Sequence, residues 1–485
     1  MASGTSKSVG DALVGIDVGT SGVKGVAIDE DGRVLAVAEE NYALDTPRAG
    51  WAEQDPEDWW RASRSVLGRL HDAAGRPRAI GLSGQMHGLV ALDDRDQVIR
   101  PAILWNDQRS ARECDEIEQA LGFEHLIELT GNRALAGFTA PKLLWLRHHE
   151  PESYGRIARI ALPKDYVRLR LCGEHATDVA DASGTLLFDV RNRGWSDQVV
   201  GALDLDPEWL APALESSEVS GHTADDVPVA AGGGDQAAGA VGVGADRPGP
   251  ASVVLGSSGV VFAALDEFAA DEQGRLHVFC HAVPGAWHAM GVMLSAAAAL
   301  AWFRGAAGGG ASYEDLVSGA AGWPPGVEGL LFLPYLAGER TPHADPDARG
   351  AFVGLQLRHD TGALTRAVLE GVAFGLRDSL DLLSELGAGV EVARVSGGGA
   401  RSQLWLQIVA SVLELPLERV AVDEGAAFGA ALLGGVAAGV WEDVHAATAA
   451  TVSVRETIEP VAEWTEAYRE QRERFRALYP ALRRV

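Results

Sequence analysis

Asp17 and Asp235 are the carboxylates best placed in this sequence to do chemistry, because each adjoins a strand-like apolar run and a glycine-rich turn. Asp17 lies near the end of Leu13-Val-Gly-Ile-Asp-Val18 and is followed by Gly19-Thr-Ser-Gly22. Such a turn suits phosphate oxygens: glycines let the backbone bend sharply, and the hydroxyls of Thr20 and Ser21 join the backbone N–H groups as donors. The device recurs at Ser252-Val-Val-Leu-Gly-Ser-Ser-Gly-Val260, where Val254 stands in the place of Asp17. The asymmetry suggests a duplicated fold that grips one nucleotide from two sides and binds a metal on one side only. Phosphoryl transfer uses Mg²⁺ to bridge phosphate oxygens, and Mg²⁺ takes one or two carboxylates with several waters. Asp17 fits that part. An ordinary hairpin with a terminal Asp would explain one copy, and explains two less well. Lys24 is left unassigned, since a solvated strand residue would look the same.

Asp235 sits in Gly232-Gly-Gly-Asp-Gln236. A carboxylate on glycines that permit close approach can accept the proton of an attacking hydroxyl. Aspartate is a weak base, with an unperturbed pKa of about 3.9. In a loose phosphoryl transition state the proton leaves late, so orientation counts for more than basicity. Asp before an Ala-rich helix is also a common N-cap, and the motif alone favours capping. Met86 and His87, within Gly84-Gln-Met-His-Gly88, are expected to be exposed at a strand end, the histidine bonding a polyol and the methionine lining its apolar face. A lone histidine is more often structural. Ser396-Gly-Gly-Gly-Ala-Arg-Ser402 could lay a base or ribose against backbone before a helix N-terminus, or be a tight strand–helix turn. No segment matches the Gly-x-x-x-x-Gly-Lys-Ser/Thr loop or the dinucleotide fingerprint.

The elements that must position these groups are legible in outline. Residues 1–10 read as a flexible tail. Residues 11–248 form one unit, opening with strand, glycine turn, strand and a hairpin turn at Asp29-Glu-Asp-Gly32. Asp55-Pro56 starts a helix that runs to about Leu70. Ala79–Ser83 is a buried strand, residues 109–222 are mostly helical in pattern with a hairpin near Thr185–Asp189, and a small-residue helix follows Asp235. The Gly/Pro-rich stretch Gly244–Pro250 marks a boundary. Residues 249–485 restart the strand–turn–strand pattern and add a strand at Val392–Ser396, a helix at Gln403–Leu413 and another at Glu424–Gly439. Both units are α/β.

Bulk properties exclude several classes. With 41 basic against 68 acidic residues, the formal charge of −27 repels nucleic acid and anionic lipid. Three widely spaced cysteines make no disulfide framework and point to a reducing cytoplasm. The polar N-terminus lacks the apolar core of a signal peptide, and no apolar run is long enough to span a bilayer.

Taken in order, Gly15-Ile-Asp-Val-Gly-Thr-Ser21, Gly50-Trp-Ala-Glu-Gln-Asp-Pro56, Gly84–Gly88, Trp105-Asn-Asp107, Gly234-Asp-Gln236, Leu333–His343 with Ala348-Arg-Gly350, and Ser396–Gly399 resemble the FGGY carbohydrate kinases over residues 12–480. The resemblance implies two ribonuclease-H-like domains of the actin and hexokinase type, related by duplication, with sugar and ATP meeting in the cleft between them. The first domain would hold the sugar and the catalytic Asp, and the second the nucleotide. It further implies that Asp235 is the catalytic base and Asp17 organises Mg²⁺. Met86, His87, Asn106 and Asp235 would contact the sugar, and Thr20, Ser21, Ser257, Gly398 and Ser402 would lie near ATP. The Met-His pair points to D-xylulose as acceptor. Gln236 is a departure, since many ketose-directed members carry Asn there and Gln is more like glycerol kinase. Ribulose, glycerol and gluconate stay open as acceptors, and the family is compatible with a homodimer. An actin- or chaperone-like ATPase would explain the turns but gives Asp235 and Met86-His87 no role, and a sugar-sensing regulator lacks a basic DNA-binding segment. Arg340 and His343 could reach the cleft or brace it.

Overall fold

The first apolar run forms β1 (Ala12–Val18) and returns antiparallel as β2 (Gly22–Ile28), with β3 (Val34–Asn41) beyond it. These positions come from a computed structural model that describes residues 12–422 and 424–483; the tail expected over residues 1–10 lies outside them. Helix α1 (Pro56–Ala74) starts where the sequence signals it: the Asp55 side chain accepts from the N–H of Glu57, and Pro56 occupies the first turn. β4 (Pro77–Gly84) then runs parallel to β1. After a largely helical stretch that includes α2 (Pro163–Cys172), the chain adds β5 (Val219–His222), β6 (Pro228–Ala230) and the short β7 (Gly233–Gly234), and leaves as α3 (Asp235–Val243). The expected hairpin is present as Phe188–Asp189 against Gly194–Trp195.

The second half repeats this plan. β8 (Gly249–Leu255) and β9 (Gly259–Leu265) form the second strand–turn–strand, followed by β10 (His277–Cys280), β11 (Trp287–Met293) and α4 (Ala297–Ala306). The long α5 (Thr361–Glu385), capped by Asp360, is one continuous helix. β12 (Val390–Ser396), α6 (Gln403–Leu413), β13 (Leu417–Val420), α7 (Gly425–Ala437), β14 (Val454–Ile458) and the C-terminal α8 (Ala462–Arg476) and α9 (Leu478–Leu482) complete the chain.

The two sheets share one pairing pattern. Across β3-β2-β1-β4-β6-β5 the pairs run antiparallel, antiparallel, parallel, parallel, antiparallel. Across β11-β9-β8-β12-β13-β14 they run in the same five orientations. The duplication suggested by two turns therefore extends over six strands. Asp17 pairs with Lys24 one step from its turn, and Val254 pairs with Val260 one step from the other, so the two positions are equivalent in the ladder.

Glycines join the halves. A Cβ on Gly15 would lie 1.9 Å from the Ala427 carbonyl oxygen, one on Gly81 1.7 Å from that of Ala430, and one on Gly429 1.8 Å from that of Ala238. Helix α7 thus lies directly on β1, β4 and α3 of the first unit, although it follows β13 of the second in sequence. Lys24 reaches across to Glu424 at the start of α7 (2.7 Å).

Candidate active site

Three parallel strands end side by side under the proposed chemistry. Register pairs Asp17 with Ser83 and Ser83 with Gly233, one step before Val18, Gly84 and Gly234. Asp17 and Asp235 therefore emerge from the same edge of one sheet. Gly232 has a φ of +80°, and a Cβ there would lie 1.9 Å from the Leu82 carbonyl oxygen, so only glycine lets this loop lie on β4. Gly234, not Asp235, is the N-cap of α3, and Asp235 makes no capping bond. The capping account of Asp235 is thereby overturned: at the first helical position its carboxylate is free to face the cleft.

Both aspartates are half-buried. Burial pushes the Asp17 carboxyl up to about 6, against the opposing influence of the nearby Ser83 hydroxyl and the charge of Lys24. Burial and then the nearby Asp17 charge push Asp235 up to about 7, with Gln236 opposing. Asp17 Oδ1 is buried and has no hydrogen-bond partner. No cluster of three or more His, Cys, Asp or Glu able to hold a metal occurs among the described residues. An orphaned hard oxygen beside a second carboxylate instead fits an ion that arrives with phosphate oxygens and water as its other ligands.

The glycine turns are braced from behind. Gly19 O accepts from Tyr42 OH (2.5 Å), and Thr20 O from Gln54 Nε2 (2.7 Å). In the second turn Gly256 O accepts from Ala297 N and Ser257 O from Ala296 N (2.8 Å each). The N–H groups of Thr20, Ser21, Ser257 and Ser258 make no hydrogen bond among the described residues. With carbonyls tied back and amides free, each turn is a ready anion cradle. The Thr20 hydroxyl is itself engaged, accepting from Trp105 Nε1 (2.9 Å) and donating to Gln85 Oε1 (3.2 Å), so this residue offers its amide; Ser21 and Ser257 are exposed. Gly397, with φ +87°, lies against the second turn: a Cβ there would be 2.8 Å from the Leu255 carbonyl. The Ser396–Gly399 loop and the second turn are thus one surface, on which Gly398 is exposed. Ser402 caps α6, accepting from Trp405 N (3.2 Å). Beside them opens a cavity of about 300 Å³ lined by Gly397, Ala400, Arg401, Arg419 and Arg455.

On the other side of Asp235 the expectation for Met86 needs correcting. Only 4% exposed, Met86 packs into the space left by two missing Cβ atoms, those of Gly234 and Gly184. His87 is half-buried, at φ +69°, with Nδ1 2.6 Å from the Gly184 carbonyl oxygen. Nδ1 must therefore carry the proton, which leaves Nε2 as an acceptor. Burial, then the charges of Lys142 and Arg340, push its pKa down to about 3, so it is neutral at any working pH. Its carbonyl is clamped by Thr139 Oγ1 (3.0 Å) and Lys142 Nζ (2.8 Å). Asn106 Oδ1 is buried without a partner, on a loop pinned by Trp105 on one side and by Asp107 on the other, where Asp107 accepts from Ala52 N (2.6 Å) and Arg109.

Sequence reasoning missed the supports. Lys164 on α2 is buried with Asp165 (2.6 Å), Asp178 (2.7 Å) and Asp181 (3.1 Å), and Arg168 donates to the Ala231 carbonyl just before the Gly232 loop. Gln85 and Gln54 bond each other (3.1 Å) under the first turn. Gln85 was visible inside the quoted glycine motif; the α2 cluster had no sequence signal beyond alternating charges.

Comparison with known proteins agrees with this geometry. Residues 12–242 match the N-terminal domain of the FGGY family of carbohydrate kinases, and residues 251–438 match its C-terminal domain. A xylulose kinase of Escherichia coli (strain K12) is 42% identical over 481 residues, covering 97% of this chain and 99% of that protein. The crystal structure of a xyloylose kinase from Brucella ovis superposes with a TM-score of 0.92 at 42% identity, covering 97% of this chain and 99% of that one. A xylulose kinase structure from Rhodospirillum rubrum gives 0.90 at 32% identity, covering 97% and 99%. A two-unit α/β fold in which a strand–turn–strand device is repeated, and these matches along nearly the whole chain, place this protein in the FGGY family of carbohydrate kinases, enzymes that phosphorylate sugars with ATP.

Proposed function

We propose that this chain transfers the γ-phosphoryl group of ATP to O5 of D-xylulose, giving ADP and D-xylulose 5-phosphate in the cytoplasm. The observation that carries the reading is the convergence of Asp17 and Asp235 at one strand edge, both held above the usual carboxylate range. Asp235 accepts the proton of the C5 hydroxyl as the O5–P bond forms, while the bond to the β-phosphate oxygen breaks and its electron pair leaves with ADP. A carboxylate pushed to about 7 is a far better base at neutral pH than an ordinary aspartate. The free amides at Thr20, Ser21, Ser257 and Ser258 donate to the phosphate oxygens. Asp17, together with nucleotide oxygens, would hold Mg²⁺, which when bound would supply charge neutralisation on the transferring group. Gly398 and the dipole of α6 behind Ser402 face the nucleotide, and the adjoining cavity has room for its nucleoside end. His87 Nε2 accepts a sugar hydroxyl, Asn106 offers a second polar contact, and Met86 shapes the pocket wall. Residues 11–248 supply the sugar side and residues 249–485 the nucleotide side. The sugar is drawn from the Met86-His87 pair and from the xylulose kinases similar along nearly the whole chain. Gln236 keeps ribulose, glycerol and gluconate in the test.

The experiment is coupled ADP release with Mg-ATP against D-xylulose, L-ribulose, D-ribulose, glycerol and gluconate, with Asp235→Asn alongside. The expected result is a strong preference for D-xylulose and a loss of at least ~10²-fold in the variant, the scale of general-base catalysis. A preference for another polyol overturns the substrate and keeps the chemistry. Near-normal turnover by a folded Asp235→Asn removes Asp235 from its role.

A further inference from the structure

Arg340 and His343 share one loop, and the structure sends them in opposite directions. His343 faces outward, stacked on Tyr479 with ring centres 3.7 Å apart and Nε2 3.2 Å from Tyr335 OH, so it braces the loop against α9. Arg340 faces inward. Its NH1 lies 3.5 Å from His277 Nε2, and no carboxylate comes within ion-pair distance of its guanidinium among the described residues. The neighbouring Glu339 gives it little countercharge: burial pushes that carboxyl up to about 8, and its Oε1 accepts from the N–H groups of Leu294 (2.9 Å) and Arg340 (2.8 Å). A guanidinium has five N–H donors, and here one long hydrogen bond to a ring nitrogen uses one of them. The residue is half-buried, so its remaining N–H groups are open to a ligand.

Position and rigidity say which ligand. His277 Nδ1 is 3.1 Å from Asn132 Oδ1, whose amide nitrogen donates to Thr130 O and Val278 O, so Nδ1 carries the proton and Nε2 accepts from Arg340. The His277 ring contacts Phe138 (5.7 Å), and Phe138 contacts His87 (4.6 Å). Contacts therefore run from Gly234, the neighbour of Asp235, through Met86 and His87 to Phe138, His277 and Arg340. The guanidinium stands at the far end of this series from Asp235, near enough for its charge to act on His87. It is held there by both flanking residues, since Thr341 N donates to Val292 O (3.0 Å), Thr341 Oγ1 accepts from Val292 N (3.0 Å), and Glu339 holds Leu294.

We propose that Arg340 is a specificity-determining residue that donates hydrogen bonds to the carbonyl oxygen at C2 of the ketose while Asp235 engages the C5 hydroxyl. The assignment rests on the reading of the chain as a ketose kinase. It makes the second half of the chain a contributor to the sugar site, not only to the nucleotide site. A ketone oxygen accepts and never donates, which suits an all-donor guanidinium. Reduction of that carbon gives an alditol whose hydroxyl oxygen still accepts but is displaced out of the plane of the former carbonyl, so the alditol makes this contact less well.

The test is equilibrium binding of D-xylulose and of xylitol, its C2-reduced counterpart, followed by tryptophan fluorescence of wild type, Arg340→Met and Arg340→Lys. The expected result for Arg340→Met is a Kd for D-xylulose raised about 10- to 100-fold, the scale of a charge-assisted hydrogen bond, with xylitol changed less than about threefold. Arg340→Lys restores part of the loss. The Tm of Arg340→Met is expected to hold, because the half-buried guanidinium makes no ion pair among the described residues that the substitution would break. Equal weakening of both ligands, no weakening of either, or a fall in Tm that tracks the loss overturns the proposal and makes Arg340 a brace. If the wild-type enzyme prefers a different ketose, the substrate reading fails while this inference is judged on that ketose and its alditol.

Discussion

In the proposed reaction Asp235 has to be a usable base near neutral pH, and what would make it one also makes it a liability. Its carboxyl is raised to about 7 by burial and by Asp17, so the ionised form is disfavoured in the folded state relative to the unfolded chain. The folded protein then holds a proton that the unfolded chain has already released between about pH 4 and 7, and stability falls as pH rises through that window. Asparagine mimics the protonated side chain. Asp235→Asn is therefore expected to raise Tm at pH 8, where the wild type carries the charge, and to give no gain near pH 5, where it does not. Thermal melts across pH 5–8 check this, and a pH-independent shift would place the cause elsewhere. In kcat/KM for the sugar, the same carboxyl predicts an acid limb, with activity lost as pH falls below about 7. Both aspartates were legible in the sequence because glycine turns mark where backbone ends and chemistry begins. The directions of Met86 and Arg340 were not, since they depend on the missing Cβ atoms of Gly184 and Gly234 and on a loop anchored to β11, both distant in sequence.

At the scale of elements, the decisive contact is α7 lying on β1, β4 and α3. A Cβ on Gly81 would sit 1.7 Å from the Ala430 carbonyl oxygen and one on Gly429 1.8 Å from that of Ala238, and backbone on both sides leaves nothing to rotate away. Gly81→Ala and Gly429→Ala are each expected to cost ~1–3 kcal/mol or more, the scale of overpacking in a core. Gly239, on the same α3, is the control: its Cβ would find only Ala426 N at 4.0 Å, so Gly239→Ala should be neutral or gain up to ~1 kcal/mol from helix propensity. Denaturant unfolding of the three variants tests the contrast. Equal effects at Gly239 and Gly429 would mean that α7 does not sit this closely. Local signals explain what was readable here. Asp55-Pro56 fixes the start of α1, Ser402 and the glycines ahead of it that of α6, and two Gly turns reveal a duplication that proves to span six strands. The docking of α7 across the first sheet had no such signal, because an Ala/Gly-rich helix reads alike wherever it packs. The two-residue strands Thr177–Asp178 and Ala213–Leu214 were likewise too short for alternation to register.

At the scale of the molecule, a formal charge of −27 surrounds a cleft whose two substrates differ in charge. ATP is an anion even with Mg²⁺ bound, whereas a ketopentose is neutral. The field of 68 acidic against 41 basic residues opposes the approach of the nucleotide and ignores the sugar. Screening decides how far that field reaches: the Debye length shrinks from about 30 Å at 0.01 M ionic strength to about 8 Å at 0.15 M. Beside the second glycine turn, where the nucleotide is proposed to bind, the local balance differs, since the cavity beside Gly397 carries Arg401, Arg419 and Arg455. Those contacts act over a few ångströms, where salt screens little, while the repulsion acts over the whole approach. Raising ionic strength across this range, at constant free Mg²⁺, should therefore lower KM for ATP and leave KM for D-xylulose unchanged. Steady-state kinetics at several salt concentrations measure both constants on one sample. A KM for ATP that climbs with salt would mean that the arginine-lined cavity, not the net charge, governs nucleotide capture. Arg401→Ala and Arg455→Ala would then abolish the salt dependence.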